Sequence, residues 1–155
     1  MIQRIQTLYL IFIVILSSFF FSGNLLTFID MNEKIYNIKL SGASGEAFSL
    51  INMDNLIAGF RIGLTVLIII LSFTAIFLFK RRKIQLVVTY IVTFLAVVLT
   101  GIEVYIIYLV LQLKEISIIP GFKILIPPVI IMLAVLAARG IKHDERLVKS
   151  YERLR

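Results

Sequence analysis

Four long apolar runs, each bounded by polar or charged residues, divide the 155-residue chain. They predict helices over about 5–22, 56–79, 84–111 and 118–138, because a bilayer crossing takes about 20 apolar residues, within a usual range of ~17–25. The first run follows Arg4 and ends among Ser17, Ser18, Ser22 and Gly23, which are flanks that a secretory signal also has. It is longer than the ~7–15-residue core of such a signal and no A-x-A-like cleavage site follows, so it reads as a retained helix.

Between the first two helices, residues 22–55 change their pattern. "KIYNIKL" alternates, with Tyr36, Ile38 and Leu40 on one side and Asn37 and Lys39 on the other. "SGASG" then supplies turn residues, and "EAFSLI" alternates again, so a small β-hairpin is predicted there, with a partly ordered loop as the alternative. A lone hairpin is marginal in water and would need to rest on helix ends, the membrane surface or a partner.

Helices two and three are joined by "KRRK" alone, which makes them an antiparallel hairpin. Helix four carries Pro127 and Pro128, whose rings and missing N–H groups predict a kink or a late start. From Pro127 to Ala138 the helix rises only ~18 Å, short of a ~30 Å hydrocarbon core, so residues before Pro127 share in the crossing. Beyond residue 141 the chain becomes a basic amphipathic tail. Leu147, Val148, Tyr151 and Leu154 recur at helical spacing, with Asp144 as the N-cap. The tail would contact anionic lipid headgroups, the protein's own inner face or another protein.

Composition sharpens this picture. Hydrophobic residues make up 60% of the chain, against roughly 45–50% in soluble domains. The fold class expected is therefore an all-α integral membrane protein: a four-helix transmembrane domain over 1–141, followed by a cytoplasmic tail over 142–155. The net charge of +7 is distributed topologically. Arg4, Lys80 to Lys83 and the basic residues from Arg139 onward put eleven on one side; Lys34, Lys39, Lys114 and Lys123 put four on the other. By the positive-inside rule both termini and the KRRK turn are cytoplasmic and the 22–55 loop lies outside. No basic folded surface suited to nucleic acid is evident. Without cysteine, disulfides and thiolate metal sites are excluded.

The start "MIQRIQTLYL" and the ending "AARGIKHDERLVKSYERLR" resemble a family of small four-helix inner-membrane proteins of Gram-negative bacteria, domain-of-unknown-function family 4293. The resemblance covers the whole chain, from the short first helix and outer loop to the basic turn and the charged tail. It implies topology and a bacterial inner-membrane location. It supplies no activity and no catalytic residues.

Two charges interrupt the second and third apolar helices, Arg61 and Glu103. With the hairpin centred on KRRK, Arg61 lies level with residue 102. Rotation agrees. Thr89, Thr93, Ala96, Thr100 and Glu103 form one stripe of small and polar residues, and Arg61, Thr65, Ile68, Ser72 and Ala75 form another with the same steps. Small and hydroxyl residues mark helix contacts in lipid, so the two stripes should face each other and Arg61 should meet Glu103. Ionisable groups inside a membrane are functional candidates by default. Arg61 lies ~28 Å along the helix from Lys80, near the outer edge of the core, where an arginine can reach water. A structural pair is the leading reading, with an ion or proton path and simple snorkelling as alternatives. Gly59 and Gly63 form a G-x-x-x-G that invites close approach of another helix, with Ala134 and Ala138 of helix four as partners.

No reactive constellation accompanies these features. His143, Asp144 and Glu145 are consecutive, without the spacing that puts ligands on one helix face, so no metal or other cofactor is expected. The Ser17–Ser18 pair has no base near it, and no phosphate loop or nucleophile elbow appears. The expected function is non-enzymatic: an accessory, scaffold or assembly subunit of a larger membrane complex, with a protein partner or homo-oligomer. The alternative is a small transporter or channel subunit using Glu103 and Arg61, although only Pro127 and Pro128 hint at the broken helices transporters show.

Overall fold

The computed structural model describes residues 5–29, 35–40, 42–44, 55–112 and 117–153. Four helices, α1 (Ile5–Phe20), α2 (Asn55–Phe77), α3 (Arg82–Leu111) and α4 (Ile126–Arg153), make the bulk of it. Each packs on two neighbours: α1 and α3 both lie against α2 and α4, so the four close into a ring around one core. Leu10, Ile13, Ile68, Val92, Ala96, Leu99, Ile130 and Ala134 fill that core.

Three stretches are long and apolar enough to cross a membrane: Leu56–Phe77, Arg82–Leu111 and Phe122–Glu145, with mean hydropathies of 2.4, 2.4 and 2.3. The 16-residue α1 is shorter, about 24 Å at 1.5 Å per residue. Between α2 and α3 the chain tightens into a 3-10 turn over Leu78–Lys80, closed by Arg81 N–H donating to the Leu78 carbonyl at 2.9 Å. This is the short hairpin that the KRRK spacing requires.

The far end of the bundle carries more strand than the sequence pattern indicates. Strands β1 (Asn24–Ile29), β2 (Ile35–Lys39), β3 (Gly42–Ser44) and β4 (Ser117–Pro120) form one antiparallel sheet in the order β3-β2-β1-β4. Two corrections follow. The residues expected as the hairpin turn include β3, which pairs Ser44 with Asn37 and Gly42 with Lys39. The stretch expected to open helix four is β4, whose Ser117 to Pro120 pair with Ile29 to Leu26 of β1. The second strand expected over 46–51 lies outside the described residues. Leu25 and Leu40 are buried in the same core as the helices, so the sheet rests on the bundle.

Helix four takes one of the two outcomes expected at its start and departs from expectation at its end. It begins late, at Ile126, so Pro127 and Pro128 occupy its first turn and the alternative of a kink in its middle is not realised. First-turn N–H groups have no intrahelical acceptor, so proline costs nothing there and its fixed φ favours the start. A 3-10 turn over Phe122–Leu125 leads into it. At the other end no break separates a tail. α4 runs unbroken to Arg153, so Asp144 lies within a continuous helix and is not an N-cap. With no glycine or proline after Gly140, nothing in residues 141–153 stops the helix. Leu154 lies outside the described residues, and so do the side chains of Leu147, Val148 and Tyr151.

Candidate functional site

The buried faces of α2 and α3 are the two polar stripes. Arg61, Thr65, Ile68, Ser72 and Ala75 are each at most 1% exposed. On α3, Thr89, Ala96 and Glu103 are buried, with Thr93 and Thr100 half-buried beside them. Near the sheet, Arg61 Nε donates to Glu103 Oε1 at 2.9 Å and Nη2 donates to Oε2 at 3.1 Å, a two-pronged pairing that uses the planar fork of the guanidinium. The third nitrogen, Nη1, donates to the Lys39 carbonyl at the end of β2, at 3.3 Å. One side chain thus ties α2, α3 and the sheet together.

The burial of Arg61 also departs from expectation. Depth along α2 places it near an end where an arginine could reach water, yet its side chain is 0% exposed and that of Glu103 is 4%. The strand end that carries Lys39 lies over it and accepts its remaining bond.

The threonine hydroxyls of the two stripes bond within their own helices. Thr65, Thr89, Thr93 and Thr100 each donate to the carbonyl four residues earlier in their own helix, at 2.7–2.9 Å. That bond satisfies a threonine without a partner helix. Their contribution to the contact is small size.

The expected role of Gly59 and Gly63 is not met. Both are exposed on α2, and a Cβ built at either touches nothing within 4 Å. The reason is ring order: α2 packs on α1 and α3, and α4 stands across the bundle. The two glycines line an outward groove with Leu56, Phe60, Leu64 and Leu67. Ala134 and Ala138 are buried on α4, which packs instead on α1 and α3. There the close approach is Gly140, where a Cβ would lie 3.4 Å from the Gln6 Cβ of α1.

At the turn end a second polar layer is buried. Gln6 Nε2 donates to Asp144 Oδ2 at 3.0 Å, and Arg82 Nη1 donates to the Asp144 carbonyl at 2.6 Å, so one residue of α4 links α1 and α3. Gln85 Nε2 donates to the Ala75 carbonyl at 3.0 Å, capping the last turn of α2. The Oε1 atoms of Gln6 and Gln85 and the hydroxyls of Ser17 and Ser72 are buried without a protein partner. Among the described residues no cluster of His, Asp and Glu could hold a metal ion, and His143 is exposed on α4.

The family described as "Domain of unknown function (DUF4293)" matches residues 2–154. The chain belongs to that family. No curated protein matches the chain.

Three buried features escape the sequence reading. The Lys39 carbonyl is a backbone group, invisible to any side-chain pattern. Gln6 and Gln85 had a usable signal, since an uncharged amide within an apolar run is as anomalous as a threonine stripe. Lys123, counted as a loop charge, is buried beside Phe19. The 3-10 turn between β4 and α4 brings it there.

Proposed function

We propose that this chain is an integral protein of the bacterial inner membrane, with four crossings, both termini and the KRRK turn in the cytoplasm, and the sheet outside. In this reading it is a non-enzymatic accessory, scaffold or assembly subunit of a larger membrane complex. The observation that carries the membrane assignment is inversion of the usual distribution. Arg61, Glu103, Gln85 and Ser72 are buried, while Phe12, Phe60, Phe73 and Phe94 are 46%, 59%, 53% and 67% exposed. A large continuous apolar surface suits lipid and is a liability in water. Orientation follows from the basic residues.

The scaffold reading draws on what the buried charges do. Arg61 and Glu103 bind each other and the sheet, which fixes a sheet rigidly on one end of the bundle. At the other end α4 rises about 42 Å over its 28 residues, beyond a ~30 Å core, so its last turns protrude as a basic helix. Presenting one rigid element on each side of a membrane is suited to bridging partners. Against a conducting path, Ile68, Val92, Ala96 and Leu99 form an apolar layer between the Arg61 layer and the Gln85 layer.

Purification in mild detergent with identification of co-purifying proteins tests the function. Stoichiometric partners are expected; a homo-oligomer with a polar lumen would favour the transporter reading instead. Orientation is tested separately, because the chain is free of cysteine. An impermeant thiol reagent should label Ser44→Cys in intact spheroplasts and spare Ser150→Cys, and the reverse pattern overturns the topology.

A further inference from the structure

Lys123 lies in the 3-10 turn ahead of α4 and is 9% exposed. Its ammonium stands 4.5 Å from the centre of the Phe19 ring and 3.4 Å from Ser22 Oγ. Ser22 Oγ itself donates to the Phe19 carbonyl at 3.1 Å, which leaves its lone pairs to face the ammonium. Among the described residues no carboxylate pairs with Lys123. A ring face and one long hydrogen bond engage only part of a group with three donors, and a buried cation draws an anionic oxygen strongly.

Access comes through Gly23. It is exposed, has φ +78°, and a Cβ there would sit 2.9 Å from Lys123 Nζ. Its missing side chain opens a window onto the ammonium, and no L-residue would keep it open without strain. The surroundings are apolar. Phe19 and Phe122 stand 5.9 Å apart, and Phe122 and Leu125 are 66% and 62% exposed. A cation at the edge of an exposed aromatic wall matches a phospholipid in both its parts, phosphate and acyl chain.

We propose that Lys123, Ser22 and Gly23 bind the phosphate of a phospholipid whose acyl chain lies along Phe19, Phe122 and Leu125. The site rests on the membrane reading above. A free phosphate would satisfy the ammonium equally but would gain nothing from the aromatic wall.

The test is thermal unfolding of the full-length protein in detergent, with added phosphatidylglycerol or inorganic phosphate. Phosphatidylglycerol should raise the wild-type melting temperature by about 4 °C, the shift expected near ten times Kd for a chain of this length. Lys123→Gln should lose most of that rise, while Lys123→Arg keeps it, which separates loss of charge from loss of fold. Any rise left in Lys123→Gln belongs to the basic residues elsewhere in the chain. Without lipid, Lys123→Gln should melt no lower than wild type. Equal lipid shifts in wild type and Lys123→Gln overturn the site. A Lys123-dependent rise with inorganic phosphate alone overturns the lipid as its occupant. Failure of the membrane reading would show differently, as release of the wild-type chain from membranes by alkaline carbonate.

Discussion

At the sheet end, Arg61 directs all three of its nitrogens to acceptors, two to Glu103 and one to the Lys39 carbonyl, whereas at the turn end Gln6 and Gln85 each bury an amide with its oxygen unbonded. The Arg61–Glu103 pair and the two glutamines are all buried. They differ in charge, and charge sets how much imperfection a buried group tolerates. An unpaired buried ion costs several kcal/mol, so the sheet end holds only if guanidinium, carboxylate and strand meet in one geometry. An unbonded neutral amide oxygen costs roughly 1–3 kcal/mol, or less where water reaches it, so the turn end can be loose. The turn end has other restraints: the hairpin covalently joins α2 to α3 there, and Asp144 links α1 and α3 to α4.

The largest test of this contrast removes one partner of the charged layer. Arg61→Leu or Glu103→Leu strands the other charge, and the expected loss is about 3–5 kcal/mol, the range for a fully buried pair rather than the ~1 kcal/mol of an exposed one. Arg61→Leu should cost the more, because it also leaves the Lys39 carbonyl without its donor. The double mutant should recover part of the sum, since no charge remains to be stranded. Thermal unfolding of the four proteins in one detergent checks this. Strictly additive losses would mean that the two residues do not act as a pair.

How far the sequence carries the fold follows from where each contact's information lies. The Arg61–Glu103 contact is legible because a four-residue turn sets the depth and two helical stripes set the rotation, all within 43 residues of chain. The order of the ring is not. Nothing in α2 says that α4 lies across from it, so the G-x-x-x-G points to a contact with α4 that the ring order does not make. In lipid an outward glycine pair and an inward one look alike in sequence, because both faces are apolar. The sheet is hidden in the sequence for a related reason. β1 takes β2 from nearby but β4 from some 90 residues downstream, and "SIIP" becomes a strand only through that pairing. The Pro127–Pro128 pair could be read as a kink or a start. The pairing of β4 and the 3-10 turn after it decide for a start.

A smaller effect is expected at Gln85. Gln85→Leu removes the donor to the Ala75 carbonyl in the final turn of α2, and with it the unbonded oxygen. The lost bond and the lost orphan oppose each other, leaving about 1 kcal/mol of destabilisation from a helix-end carbonyl without a partner. The same unfolding measurement reads it. A loss as large as that of Arg61→Leu would break the contrast between the layers, because it would mean that a neutral amide is as tightly specified as the ion pair.

The smallest effect belongs to Gln6→Met, which sharpens the comparison by approaching zero. Methionine keeps the Cβ that meets Gly140, so the close approach of α1 and α4 survives. What disappears is one hydrogen bond to Asp144 together with one buried oxygen that has no partner. The Asp144 carboxylate is half-buried and can turn toward water, and its backbone carbonyl keeps the bond from Arg82. Removing a satisfied donor and an unsatisfied acceptor in one step is nearly neutral when the replacement has similar volume, so the melting temperature should move by the equivalent of about 0.5 kcal/mol or less, in either direction. A loss above ~2 kcal/mol would show that the Gln6–Asp144 bond holds the turn end as firmly as Arg61 holds the sheet. The looseness assigned to that layer would then be wrong.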